Sequence, residues 1–442
     1  MRAARAWAGY VGSLATKTVS VWWRTLPRLL AAYLLGWFGY QASIRLGAWV
    51  ASFSAWGALV VVSMGFVSIL SGTVICLRIL GQALDMTADV PRVVSDDRDD
   101  SVSRLLAVTL LPFLGIYATF NRVTQAADRL VTYYLAMFSQ PTEGFLTQLN
   151  PTVSPERGWT LFGVLIAAYL LRRGLDLLHE KTDFKPLGLG AAFVEGFFML
   201  TLLLSGQRLI LEGKLWLDSR AVWGWFAPTM DGLHHVLASI HDGLPELLIA
   251  GWRFWADELW PGLVQAVGEP ILWLAVAALV YGTHTLSLAE MWRKGKPLSA
   301  SIPTTRRGRR RSQLKEASSG GRRAWLEVQE AFFGDIDDKY LPTFQSLRLV
   351  VGVGLEFLGA FVVLYTVLAM GDRWLPRALA YLVGGHPVEY WTAGEAFLDL
   401  LTTALFEPLR LALLAVAFKT VLRLFHQRAV HAEAGVAERV RP

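Results

Sequence analysis

Residues 29–77 read LLAAYLLGWFGYQASIRLGAWVASFSAWGALVVVSMGFVSILSGTVICL, and Arg45 is the one charged residue in that stretch. A hydrocarbon core about 30 Å thick is crossed by about 20 apolar residues in a helix that rises about 1.5 Å per residue. The stretch is far too long for a single crossing. It predicts two spans, 27–46 and 55–77, with a short turn between Gly47 and Ser54. A chain built around such a pair is a multi-pass membrane protein.

Further windows of the same kind lie at 103–120, 157–173, 187–209, 269–288, 346–370 and 404–424. The predicted fold class is therefore all-α, a polytopic integral membrane protein of about eight transmembrane helices with amphipathic helices at the surface. Composition agrees: of 442 residues, 54% are hydrophobic and only 18% charged, against about 25% charged in ordinary soluble domains. The fourth window is short, and Arg157 and Arg172 at its ends are expected to snorkel outward. The chain then divides into four regions: a four-span part over 1–186, a two-span unit over 187–290 with a long Trp-rich external segment, a basic loop over 291–345 whose composition is that of a partly disordered linker, and a two-span unit over 346–442.

The net charge of +6 is explained by topology. Most Lys and Arg fall on or beside 291–348, the C-terminal tail and the other segments that share a side with them, which places both termini and the basic loop in the cytoplasm and 210–266 outside. The apolar run beginning near Leu29 has no small-residue cleavage site and reads as a retained span. A composition rich in Arg, Ala, Leu and Gly points to a bacterial inner membrane. The single Cys76 excludes an internal disulfide and any Cys-based zinc or iron-sulfur centre.

The second half reads as a loose parallel duplication. Glu195, Asp257 and Glu269-Pro270 in the first unit are echoed by Glu356, Glu395 and Glu407-Pro408 in the second. Both copies run outward and back, so an axis along the membrane normal would relate them. Glu195, in FVEGF, and Glu356, in GLEFL, have no basic residue within a turn of their own helices. An acid in an apolar span costs roughly 2.5 to 3.5 kcal/mol on insertion scales, which makes the two a candidate proton or cation relay. The competing reading is polar glue between helices. Pro suits the first helical position and an acid there meets the positive end of the helix dipole, so Glu269 and Glu407 are expected to cap helices at the outer surface beside Asp257 and Glu395. Arg410 is within reach of Glu407 for a pair along the helix.

Other chemistry is thin. Asp231, His234, His235, His241 and Asp242 do not converge on one metal if the helix through them is unbroken, because His241 is then about 9 Å beyond His235. The acid clusters Asp96, Asp97, Asp99, Asp100 and Asp335, Asp337, Asp338 suggest Mg²⁺ and a diphosphate, but Asp99, Asp100 and Ser101 fit a capped, acid-rich first helical turn equally. No phosphate loop, HExxH, GxSxG or dinucleotide glycine pattern occurs, so no enzyme activity, cofactor or metal is assigned. Arg306, Arg307, Arg309, Arg310 and Arg311 form RRGRRR, a sequence suited to anionic lipid and not to nucleic acid. These observations point to membrane transport. The alternative is a non-catalytic subunit or scaffold of a cell-envelope assembly, meeting membrane-protein partners or further copies of itself through the Trp-rich segment and the basic loop.

Overall fold

The computed structural model describes residues 2–86, 102–120, 122–138, 155–182, 185–219, 244–281 and 354–439. Regular structure in these residues is entirely helical, with no strand. The helices are α1 (Arg2–Ala51), α2 (Ala55–Ala83), α3 (Val102–Thr119), α4 (Arg122–Phe138), α5 (Pro155–Thr182), α6 (Lys185–Asp218), α7 (Leu244–Arg253), α8 (Trp260–Leu263), α9 (Glu269–Val280), α10 (Leu355–Val383) and α11 (Val388–Arg439). The basic loop with Arg306, Arg307, Arg309, Arg310 and Arg311, both acid clusters, and His234, His235 and His241 lie outside the described residues.

Among the described residues, four helical stretches are long and apolar enough to cross a membrane: Ala55–Ala83, Ile249–Val280, Leu355–Val383 and Ala396–Leu424. The crossings expected at 27–46, 103–120 and 157–173 fall in α1, α3 and α5, and the one at 187–209 falls in α6, where the apolar run Phe193–Gly206 is shorter. The expected boundaries move most in the second half. Gly354, at φ 124, stands before α10, which runs on to Val383, past the expected end at 370; residues 346–353 of that expected span lie outside the described residues.

The larger correction concerns the segment before Glu269. Surface helices and a fresh helix start are expected there from the sequence, yet α7, α8 and α9 run on as one rod, joined by π-helical turns at Phe254–Leu259 and Val264–Gly268. Each π turn comes just before a proline, Pro261 or Pro270. Proline has no N–H and its ring crowds the carbonyl four residues back; an extra residue in the preceding turn lets the rod continue past it. Glu269 is helical, with φ −57 and ψ −52, where the last π turn meets α9, so the chain does not enter α9 from a loop. Glu407-Pro408 lies inside α11, which removes the cap expected there too.

The chain divides into two compact units whose segments interleave along the sequence: Met1–Leu34, Thr73–Pro112 and Ile271–Pro442 in one, Leu35–Gly72 and Phe113–Pro270 in the other. In the second unit, the chain turns between α1 and α2 at Ser52–Ser54, within the expected 47–54. The Ser54 hydroxyl accepts from the Gly57 N–H at 3.1 Å and caps α2. The two helices then approach closely. A Cβ on Gly36 would stand 2.8 Å from the Ser68 carbonyl oxygen and 3.1 Å from the Gly72 Cα, and one on Gly65 would stand 2.9 Å from the Ser43 Cβ. Small residues at such a crossing let dispersion act between backbones where lipid offers no hydrophobic drive. Arg45, the one charge of the opening stretch, lies over the Tyr133 ring at 5.1 Å.

In the first unit the core forms around α9 and α11, where Leu274–Tyr281 and Leu411–Phe418 are buried throughout. Tyr281 stacks on Phe418 at 5.3 Å and donates to the Leu77 carbonyl at 2.7 Å. Lys419 donates to the Leu84 carbonyl, a cation at the negative end of α2.

Candidate functional site

Among the described residues, each unit holds a buried set of charges inside apolar helices. In the second unit, α5 and α6 pack as an antiparallel hairpin. The inner face of α5 carries Leu161, Ala168 and Arg172; that of α6 carries Ala191, Val194, Glu195, Leu200, Thr201 and Ser205. Arg172 and Glu195 are 8% and 3% exposed, and their Nη1 and Oε1 atoms are 3.7 Å apart. Arg172 therefore does not snorkel outward as expected but turns inward to the acid. The partner that Glu195 lacks on its own helix comes from its neighbour, where mutual attraction and the desolvation of both charges oppose each other.

Glu356 is the second residue of α10, at the very start of the candidate span Leu355–Val383, and is exposed. Its backbone carbonyl accepts from the Trp7 indole at 3.3 Å. A carboxylate in a helical first turn meets the positive end of the dipole, an ordinary place for an acid.

The first unit holds a set that the sequence does not disclose as a whole. Arg410, 5% exposed, lies midway along Ala396–Leu424. Its Nη1 donates to Glu407 Oε1 at 2.7 Å, one turn back on the same helix, and its Nη2 is 3.7 Å from Asp372 Oδ2 on α10. The guanidinium also lies over the Tyr365 ring at 5.4 Å. Asp372 is itself close to the middle of Leu355–Val383. The helices meet tightly here because Gly371 leaves room for Phe406, whose ring would stand 2.6 Å from a Cβ at that position. Pro376 has no N–H to donate to the Asp372 carbonyl, so polarity gathers at one level of α10.

The remaining predicted residues are less central. Asp257 is exposed on the rod between Trp252, Trp255 and Trp260. Glu269 is partly buried, and the side chain of Glu395 lies outside what is described. Among the described residues, no three His, Cys, Asp or Glu side chains gather as a metal site. No protein family matches the chain, and neither a curated protein nor a solved structure matches it. The fold and its buried charges define the class: an all-α protein with helices fit to cross a membrane.

Proposed function

We propose that this is a multi-pass membrane transport protein that moves a proton or another small cation, with Asp372, Arg410 and Glu407 as its exchange site. The observation that supports this reading is one guanidinium between two carboxylates, close to the middle of two helices fit to cross a bilayer. Ionisable side chains at such depth are expensive and mark ion pathways and relays. Glu407 is held at 2.7 Å within one helix and Asp372 at 3.7 Å across two, so Asp372 is the looser partner and the one to exchange a proton or cation. Glu195, paired with Arg172, is a second relay position, and Glu356 is set aside. The setting is a bacterial inner membrane with both termini and the basic loop cytoplasmic. Purified protein in vesicles under an imposed proton or sodium gradient tests the reading. Flux above that of empty vesicles, reduced by Asp372→Asn in a protein that stays folded, supports it; wild-type vesicles as tight as empty ones refute it.

A second reading, a scaffold within an envelope assembly, is favoured by the rod, where Leu247, Trp252, Phe254, Trp255 and Trp260 are all exposed. In this reading the rod meets membrane partners or a second copy, and the five arginines of the basic loop hold anionic lipid. Replacing them with Gln weakens binding of the full chain to anionic vesicles by about 1 kcal/mol per charge; binding indifferent to salt and to the substitutions speaks against it.

A further inference from the structure

Two buried hydroxyls on α6 differ from those of Thr18, Thr25, Ser63 and Thr402. Thr18, Thr25, Ser63 and Thr402 each donate to the carbonyl four residues back, at 2.9, 2.8, 2.7 and 2.9 Å. Thr201 Oγ1 and Ser205 Oγ make no such bond and have no hydrogen-bond partner, although the residues are 0% and 2% exposed. An unsatisfied buried hydroxyl costs about 1–3 kcal/mol, and here two stand one turn apart on the same helical face.

That spacing narrows what satisfies them. Residues at i and i+4 have Cβ atoms about 5–6 Å apart, and one oxygen about 2.8 Å from each hydroxyl spans that gap. The occupant is small, because burial this complete bars lipid, a second copy or a partner chain. No acid of α6 stands close enough to hold a bare cation there: Glu195, the nearest, is about 9 Å along the helix and is engaged with Arg172, and water is the small molecule always at hand. It both donates and accepts. We propose that Thr201 and Ser205 form a binding site for a buried water inside the α5/α6 hairpin, a site distinct from the Asp372–Arg410–Glu407 set and independent of any transport role.

Removal of the hydroxyls without change of shape gives a test whose sign decides. A seated water predicts that Thr201→Val and Ser205→Ala each lower the melting temperature of the purified protein and that the pair is non-additive. A dry site, in which the hydroxyls turn back to their own helix, predicts a melting temperature for Thr201→Val equal to or above wild type. On the unmutated protein in lipid, water-edited solid-state NMR reads the same question through early magnetisation transfer from water to the Thr201 and Ser205 side chains. Absence of that transfer, or an unchanged or raised melting temperature in Thr201→Val, overturns the proposal.

Discussion

Asp372 on α10 and Arg410 on α11 face each other at 3.7 Å near the middle of two helices that are each long and apolar enough to cross a bilayer. Glu407 shares the same guanidinium at 2.7 Å, so one cation serves two acids at that level. Removing it leaves both acids with their principal partner gone, and the cost of breaking a buried pair in this way is about 3–5 kcal/mol. Arg410→Met is expected to lower stability toward the smaller end of that range, because both acids retain some exposure. Adding Asp372→Asn and Glu407→Gln to Arg410→Met is expected to restore most of the loss, which unfolding in denaturant measures. A triple variant as unstable as Arg410→Met alone would show that the guanidinium matters through packing and not through charge.

The Arg172–Glu195 pair makes a sharper prediction, since both side chains are nearly inaccessible. Glu195→Leu removes the acid beside a buried guanidinium and is expected to cost up to about 3–5 kcal/mol, whereas Arg172→Leu with Glu195→Leu is expected to recover much of that loss. A double-mutant cycle on melting or denaturant curves reads the coupling. Additive losses would mean that the two charges do not interact.

Close helix crossing predicts that glycine is required at Gly36 and replaceable at Gly9. A methyl on Gly36 meets backbone of α2, which cannot turn aside, so Gly36→Ala is expected to cost about 1–3 kcal/mol. A methyl on Gly9 would meet nothing within 4 Å, and Gly9→Ala is expected to be neutral or to stabilise by up to about 1 kcal/mol through helix propensity. Melting temperatures of the two variants in the same detergent give the comparison; a tolerated Gly36→Ala would deny the tight crossing.

Orientation rests on the asymmetry of Lys and Arg. In a chain with Cys76 replaced, single cysteines at Ser219 and at Ser312 are expected to respond oppositely to an impermeant thiol reagent on intact cells, with labelling at 219 and none at 312. Labelling at 312 alone would invert the arrangement.

What the sequence discloses depends on how local the cause is. The turn after α1 is readable because the apolar run is too long for one crossing and Ser54 is suited to cap the next helix. The pairing of Arg172 with Glu195 is not, because neither helix taken by itself contains both charges. Its signal is a basic residue at the end of one apolar stretch and a lone acid inside the next, on consecutive helices separated only by residues 183–184. Asp372 escapes a span ended at 370, and Arg410 at an expected helix start has Glu407 as its one visible neighbour. The rod through 244–280 resembles surface helices because Trp alternates there with charge, and because π turns that carry a helix past Pro261 and Pro270 leave no mark in propensity.

In the transport reading, Asp372 and Glu407 together carry exchange of a proton or small cation around Arg410. The most direct measurement is flux into vesicles reconstituted with wild type and with the Asp372→Asn, Glu407→Gln double variant, under the same imposed gradient and at matched protein content. Gln and Asn preserve shape and hydrogen bonding but leave the buried Arg410 without a counter-charge, so the double variant is expected to melt at a lower temperature yet still fold, and to lose flux to the level of empty vesicles. Wild-type flux in a folded double variant would contradict the exchange role of the two acids.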